Sequence, residues 1–162
     1  MATEEQKKTR QLKAFNTIIF GMTKGLYDML GDAMRSVATP IGEDIIEEME
    51  HEMGLEIHGE DPQAILTELE RLLVDEYGLL KSASLKINDV THEVDILCEG
   101  CLLWHTTAEL KAAGIPQLAC VPMMIAEAAL TKRLGKHAKF IGITQDLDKR
   151  ACDIDLHMID LD

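Results

Sequence analysis

The residues of this sequence that are best suited to chemistry are its four cysteines, Cys98, Cys101, Cys120 and Cys152. Cys98-Glu99-Gly100-Cys101 places two thiols two residues apart, and the turn between them can bring both sulfurs to one metal ion. Such a pair supplies half of a tetrahedral zinc site and needs two further ligands. In a reducing compartment, four cysteines are more often thiols or metal ligands than disulfides.

Cys120 and Cys152 are the candidates for the other half of the site. Cys120 stands at the start of a predicted helix, where free N–H groups and the helix dipole favour a thiolate. Cys152 lies on the apolar face of the last predicted strand. We therefore predict that all four thiols converge on one zinc ion. Two alternatives stay open: Cys120 and Cys152 are small buried hydrophobes, or the CxxC pair is redox-active, although the βαβ order of thioredoxin-like motifs is missing.

Three further side chains are candidates for binding a ligand. Trp104, the only tryptophan, and His105 follow the CxxC pair, and a helix there places both on one face with Cys101. An indole N–H beside a histidine can orient the polar end of an otherwise apolar molecule. Met124 is one of nine methionines, and methionine adapts to irregular apolar cavities. The alternative is that Trp104 and Met124 fill the core and that His105 is a satisfied or exposed histidine.

The first half of the chain shows the three- and four-residue spacing of apolar residues that is typical of helices. One long helix carries a stripe that we expect to face the core, formed by Leu12, Phe15, Ile19, Met22, Leu26, Met29 and Leu30. Gly21 and Gly25 lie four residues apart in this helix, so they share a face and allow another backbone to approach.

Two shorter helices follow an interruption at Thr39-Pro40. The first is expected to turn Ile45, Ile46, Met49 and Met53 inward and to stop at Gly54. The second begins at Asp61-Pro62, because aspartate is a good N-cap and proline suits a first turn. It is expected to end near Gly78.

The second half changes to the period of two that is typical of strands. A first hairpin is predicted over about residues 83–98, with a turn at Asn88-Asp89. Val90, His92, Val94, Ile96 and Cys98 fall on its apolar side. A second hairpin joins strands 136–144 and 150–159, and Cys152, Ile154, Leu156 and Met158 face one side of it.

Between the hairpins, helices are predicted over residues 101–113 and from Ala119-Cys120 to Gly135, with Pro122 in the first turn of the second. Strands that come in antiparallel pairs, rather than alternating with helices, predict an α+β fold. We expect one domain, with a helical leader over about residues 10–80 and a sheet-containing part over about residues 81–162.

Composition excludes several classes of protein. The length of 162 residues fits one domain with one core. A net charge of −13 repels phosphate backbones and anionic lipid, so we expect neither nucleic acid nor membrane as a partner. No apolar run approaches the roughly 20 residues that span a bilayer. The first residues contain no apolar signal core, and we predict a cytoplasmic protein.

In the order and spacing of these features the chain resembles the 4-vinyl-reductase domain family. That family includes bacteriochlorophyll-related vinyl reductase proteins, sensor domains of phenol-responsive transcription activators and, distantly, subunits of vesicle-tethering complexes. The resemblance covers most of the chain. It lies in the leader helix around residues 19–26, the Cys98–Cys101 segment, the helix that opens at Cys120-Val121-Pro122 and the closing hairpin.

The resemblance implies a four-stranded twisted antiparallel sheet with helices packed on one face, a pocket between helix and sheet, and a homodimer. It also implies that Cys120 and Cys152 are zinc ligands, as in the zinc-bearing members. The family's other two ligands fall near Gly142 and Gln145, where this sequence departs from the pattern. Either Cys98 and Cys101 replace the missing pair or the metal site is vestigial.

We therefore expect a module that binds a small apolar or aromatic molecule, with a cysteine-ligated zinc, and that acts as a sensor or carrier rather than as an enzyme. Two alternatives stay open. One is an enzyme that reduces a vinyl group of a tetrapyrrole-like substrate, with a reductant from outside because no nucleotide fold is recognisable. The other is an interaction subunit whose metal site is purely structural.

Overall fold

The computed structural model describes residues 2–117 and 120–160 of the chain. The helical leader contains α1 (Glu4–Leu30), a 3-10 helix (Gly31–Val37), α2 (Ala38–His51) and α3 (Pro62–Arg71), which continues into a π-helical turn (Leu72–Glu76). The remaining elements are β1 (Ser82–Asn88), β2 (Glu93–Glu99), α4 (Trp104–Ala112), α5 (Val121–Leu134), β3 (Lys136–Asp146) and β4 (Ala151–Asp160).

The four strands form one antiparallel sheet in the order β1-β2-β4-β3. Each hairpin supplies two neighbouring strands, and β2 pairs with β4 to join them. Burial alternates along β2, so Val94, Ile96 and Cys98 point into the core while the residues between them are exposed. The predicted α+β fold with two hairpins is confirmed.

Helix α5 lies at the centre of the core. All residues from Pro122 to Leu130 are buried, which is the pattern of a helix that is surrounded on every side. It packs mainly against α2 and β3, and also against α3. At Gly42 of α2 the approach is so close that a Cβ atom would stand 2.1 Å from the main-chain oxygen of Met124. Only glycine therefore permits this contact.

The predicted ends of two helices are confirmed. The Asp61 carboxylate accepts a hydrogen bond from the N–H of Ala64 at 2.8 Å, and Pro62 begins α3. Gly135 closes α5 in the left-handed conformation, with φ of 63°. At the other end of α5, Cys120 is the extended N-cap residue, and Ala119 lies outside the described residues.

The prediction that the α1 stripe faces the core is wrong. Met22 is 62% exposed and Met29 is 81% exposed. Within α1, all of which is described, only Asn16 is buried, because the helix packs mainly against α4 and the 3-10 helix rather than against the sheet. No described atom lies within 4 Å of a Cβ built at Gly21 or Gly25, so no backbone approaches them here.

Smaller differences between the predicted and the observed structure concern the turns and the ends of elements. His92 does not belong to β2; it stands in the hairpin turn with φ of 57°, and the strand begins at the next residue. Val90 lies in the same turn and is 88% exposed. Met53 is also exposed, because α2 ends at His51. Pro40 falls inside the first turn of α2, where its missing N–H costs no hydrogen bond.

Among the residues described, no helix combines the length and the apolar character that crossing a membrane requires.

Candidate functional site

The four cysteines converge near the start of α5. Cys98 and Cys152 lie directly opposite each other on β2 and β4 and are both buried in the core. Cys120 is buried at the N-cap of α5, and Cys101 is half-buried just beyond the end of β2. Burial raises the pKa of the Cys120 thiol, and the charges of the other three cysteines raise it further. The sulfurs are therefore within electrostatic range of one another.

Burial makes these thiols weakly acidic. It raises the pKa of Cys152 to about 11, with a further contribution from Cys101, and it raises the pKa of Cys98 far above its ordinary range. The N–H of Leu103 donates to the sulfur of Cys101 at 3.4 Å, but burial still raises the pKa of that thiol. At Cys120 burial acts against the helix dipole, which favours a thiolate. A reactive thiol needs the opposite environment.

The thiols offer the soft donors that zinc prefers. Within residues 2–117 and 120–160, no group of three or more His, Cys, Asp or Glu side chains is arranged to hold a metal ion. Gln145 lies opposite Cys152 on β3, near one of the two positions where the resemblance implies a further zinc ligand. Its amide instead donates a hydrogen bond to the side chain of Gln117.

An apolar cavity of about 360 Å³ adjoins the thiols, between α1, the 3-10 helix, α2, α4 and the start of α5. This volume falls within the range of small-molecule pockets. The apolar walls consist of Phe15, Ile19, Met22, Leu26, Met34, Ile41, Ile45, Leu103, Leu110, Val121, Pro122 and Met124. Among the described residues, helices and loops line this cavity and no strand does, so it differs from the pocket between helix and sheet that the resemblance implies.

Few polar groups reach this cavity, and two of them form a pair. The Gln117 amide donates to the hydroxyl of Thr107 at 3.0 Å, and Thr107 is buried. A hydroxyl that accepts one bond still carries a proton that it can donate. The pair can therefore orient one polar atom of an otherwise apolar molecule.

A buried contact fixes the α1 wall of the cavity. The side-chain amide of Asn16 donates to the main-chain oxygen of Leu102 at 3.1 Å. The Asn16 carbonyl accepts from the N–H of Thr106 at 3.1 Å. Both Asn16 and Thr106 are buried, and Thr106 also lines the cavity.

The predicted ligand-binding residues are divided between two spaces. Met124 lines the apolar cavity together with Cys101 and Cys120. Trp104 and His105 instead line an open groove of about 760 Å³, to which Cys101 also contributes. The predicted common face of Cys101, Trp104 and His105 is thus present, although Cys101 precedes the helix, which begins at Trp104.

Sequence reasoning missed the α1 residues, Thr107 and Gln117. The apolar stripe of α1 marks the residues that line the cavity, but the same pattern also predicts a helix face that is buried in the core. Nothing in the local pattern around Thr107 or Gln117 distinguishes them from ordinary polar residues, because their pairing depends on how two loops and α4 meet.

Comparison with solved structures shows the same fold in proteins of very different sequence. The phenol-responsive sensory domain of the transcription activator PoxR, in a structure with phenol, gives a TM-score of 0.56 at 16% identity, over 88% of this chain and 73% of that chain. A trafficking protein particle complex subunit 3 from Naegleria fowleri, covalently bound to palmitic acid, gives a TM-score of 0.50 at 13% identity, over 91% of this chain and 97% of that chain.

No curated protein matches the sequence. The sequence pattern of the RdxA_C family, described as "Putative rubredoxin C-terminal domain", matches residues 15–159. The match runs from the middle of α1 to the end of β4 and so includes the cysteines, the cavity and the sheet. The chain therefore belongs to the RdxA_C family.

Proposed function

We propose that this chain is a binding module for a small, mainly apolar molecule, which it holds in the cavity between α1, α2, α4 and α5 as a sensor or carrier. The observation that carries the proposal is the cavity itself, which has apolar walls and the Thr107–Gln117 pair as a polar contact. Small-molecule sites in proteins combine these two features.

The volume and lining suggest the class of ligand. An apolar cavity of about 150 Å³ holds benzene, so about 360 Å³ accommodates a substituted aromatic ring or a short branched chain. Burying such a ligand contributes roughly 25 cal/mol for each Å² of apolar surface removed from water. One hydroxyl or carbonyl group on the ligand can bond to Thr107.

Two proteins of the same fold support the proposal, because each is described with a mainly apolar molecule. The PoxR sensory domain was solved with phenol, and the trafficking protein particle complex subunit was solved with palmitic acid. The resemblance to the 4-vinyl-reductase domain family, which includes phenol-responsive sensor domains, favours the same class of function for this chain.

The test is a calorimetric titration with phenol. Val121 lines the cavity at the first turn of α5, and Val121→Phe fills part of it. We expect this variant to bind phenol at least about tenfold more weakly, which corresponds to about 1.4 kcal/mol. Val90→Phe is the matched control, because Val90 is exposed in the hairpin turn. Equal binding by both variants, or no heat with the unaltered protein, contradicts the proposal.

We also propose that the four cysteines bind zinc, each supplying one thiolate once its side chain rotates toward the others. The convergence of three buried thiols and the half-buried Cys101 supports this, and zinc would act as a structural link between the sheet and α5. Binding would release protons, because the ligands must be thiolates.

Metal analysis of protein purified without chelator tests the zinc proposal. We expect about one zinc per chain, lost in both Cys98→Ser and Cys120→Ser. No metal, together with four thiols that titrate after unfolding, contradicts it; the cysteines would then be core residues.

We propose finally that the chain forms a homodimer through the exposed face of α1. Ile18, Met22 and Met29 are apolar and exposed there, and Gly21 and Gly25 leave room for a second backbone. A second copy of the helix, which carries the same stripe, is the partner that fits it by symmetry.

A further inference from the structure

The open groove beside the cavity is lined by basic residues, which an apolar ligand does not need. Its walls come from α1, from the segment between β2 and α4, from the first turns of α4 and from the β3–β4 turn. Cys101 lies between groove and cavity and lines both. The two spaces can therefore hold different molecules.

The charge of the groove is opposite to that of the whole protein. Among the described residues, the charged or ionisable side chains in its lining, apart from the Cys101 thiol, are Lys13, His105 and Arg150, all of them basic. The chain as a whole has a net charge of −13. In the part of the chain that the structure describes, the side chains of Lys13 and Arg150 form no ion pair. They are thus available to bind an anion.

Three acidic residues close to the groove in sequence are engaged in other contacts. The Glu99 carboxylate accepts from the hydroxyl of Ser82 on β1 at 3.1 Å. Asp146 accepts from the N–H groups of Asp148 and Lys149 within its own turn. Glu109 lies 3.2 Å from the imidazole of His105, so His105 is the one basic group that already has an acidic neighbour.

The backbone holds Arg150 in place at the rim. The residue has φ of 54°, a left-handed conformation that glycine or asparagine adopts more readily than arginine. Its main-chain oxygen accepts from the N–H of Gly100 at 3.0 Å. This bond links the β3–β4 turn to the end of β2, and it places Arg150 in the lining of the groove.

The groove also provides a surface for a flat apolar body. Trp104 and His105 are the first two residues of α4, and a helix N-terminus favours negative charge nearby. The indole ring offers a flat face and a donor N–H. Leu12 on α1 and Leu147 in the β3–β4 turn add apolar surface.

From this combination we propose that the groove is a second ligand site, for an organic anion with a planar apolar body. The acidic group would bind Lys13 and Arg150, and the planar body would lie against Trp104. This site does not depend on the cavity or on what the cavity binds.

Two dyes with one aromatic skeleton test the proposal. The sulfonate 1-anilinonaphthalene-8-sulfonate carries a negative charge, and N-phenyl-1-naphthylamine is its neutral counterpart. Trp104 is the only tryptophan, and energy transfer to a bound dye quenches its fluorescence whether the dye lies in the groove or in the adjoining cavity. The two dyes are therefore compared in Val121→Phe, whose cavity is partly filled. We expect the sulfonate to quench Trp104 at low concentration and the neutral dye to quench it only at concentrations at least about tenfold higher.

Variants that remove positive charge from the groove show where the anionic group of the dye binds. Lys13→Gln combined with Arg150→Gln should weaken binding of the sulfonate at least about tenfold and reduce its dependence on salt. Lys8→Gln combined with Arg10→Gln is the matched control, since it also removes two positive charges, both from the exposed part of α1 outside the groove. Val121→Phe, which fills the cavity, should leave the quenching unchanged.

Three results would overturn the proposal. One is equal quenching by the neutral dye, which would show that charge plays no part. Another is a loss of sulfonate binding in Lys8→Gln with Arg10→Gln as large as in the groove variants, which would show a general effect of net charge. Loss of quenching in Val121→Phe would also overturn it, because the dye would then occupy the cavity.

Discussion

Asn16 on α1 and Thr106 on α4 are joined by buried hydrogen bonds although 90 residues separate them in the chain. The Thr106 N–H donates to Oδ1 of Asn16 at 3.1 Å, and the Thr106 hydroxyl lies 3.0 Å from both Oδ1 and the main-chain oxygen of Asn16. Because most of α1 is exposed, this contact fixes the helix that forms one wall of the cavity.

Replacing the hydroxyl of Thr106 by a methyl group should loosen this wall. We expect Thr106→Val to lower the free energy of unfolding by about 1 to 2 kcal/mol, because a buried acceptor loses its partner. Amide exchange in α1 should become faster, and phenol should bind more weakly. Thr17→Val is the control, since Thr17 is exposed on the same helix and bonds only within it. Equal changes in urea denaturation and amide exchange for both variants would contradict the role of the Asn16–Thr106 contact.

The close approach of α2 and α5 depends on Gly42. A methyl group there would collide with the main chain of Met124 and contact Ala128 at 3.0 Å. Gly42→Ala should therefore separate the two helices and destabilise the protein by about 2 kcal/mol or more. Gly142→Ala, on β3, where nothing lies within 4 Å of the added methyl group, should instead stabilise it by up to about 1 kcal/mol, since alanine has less backbone freedom to lose on folding than glycine. Thermal unfolding of both variants checks the opposite signs, and a harmless Gly42→Ala would show that the helices are not in contact.

Glu127 should make stability depend on pH. This carboxyl is buried on α5, with the Thr39 hydroxyl 3.5 Å away, and burial raises its pKa from 4.5 to about 7. The folded state thus favours the protonated form. The contribution of the protonated carboxyl to the free energy of unfolding is complete below pH 4.5. It is lost as the pH rises through about 7, because the buried charge then costs about 3 kcal/mol.

The variant Glu127→Gln removes this charge while it keeps the shape of the side chain. It should be more stable than the unaltered protein at pH 8, by about 2 to 3 kcal/mol, and the difference should shrink toward pH 4.5. Urea denaturation at both pH values measures it. A difference that is the same at pH 4.5 and pH 8 would show that Glu127 does not titrate as proposed.

The proposed dimer predicts that added charge on α1 separates the two copies. Ile18→Glu with Met29→Glu places two carboxylates in the exposed apolar stripe, and neither residue lines the cavity. We expect light scattering to give the mass of a dimer for the unaltered protein and that of a monomer for this variant. Thr17→Glu, which adds a charge on another face of α1, should remain a dimer. A monomeric unaltered protein would rule out the interface.

Much of the fold follows from local patterns. The alternation of apolar residues in β2 and β4 identifies their buried faces, because a strand has a period of two. Asp61-Pro62 and Gly135 mark helix ends for reasons that lie within a few residues. The same local logic brings Cys101, Trp104 and His105 to one place.

The predictions that the structure contradicts concern features that depend on long-range packing. The stripe of α1 has the period of a buried helix, yet its burial depends on what packs against it, and no periodicity carries that information. His92 fits the alternation of β2, but the tight turn holds it outside the strand. Met124 was expected to share a site with Trp104, and the arrangement of α1 and α4 places them in separate spaces.

The central claim is that the cavity beside the thiols binds a small apolar molecule, and the methionine methyl groups test it most directly. Met22, Met34 and Met124 line the cavity, whereas Met158 faces the sheet core and Met29 is exposed. With ¹³C-methyl-labelled methionine, a titration with phenol should shift the NMR signals of the three cavity methionines and leave those of Met29 and Met158 in place. Shifts confined to Met29 or Met158, or no shift at saturating phenol, would contradict the account.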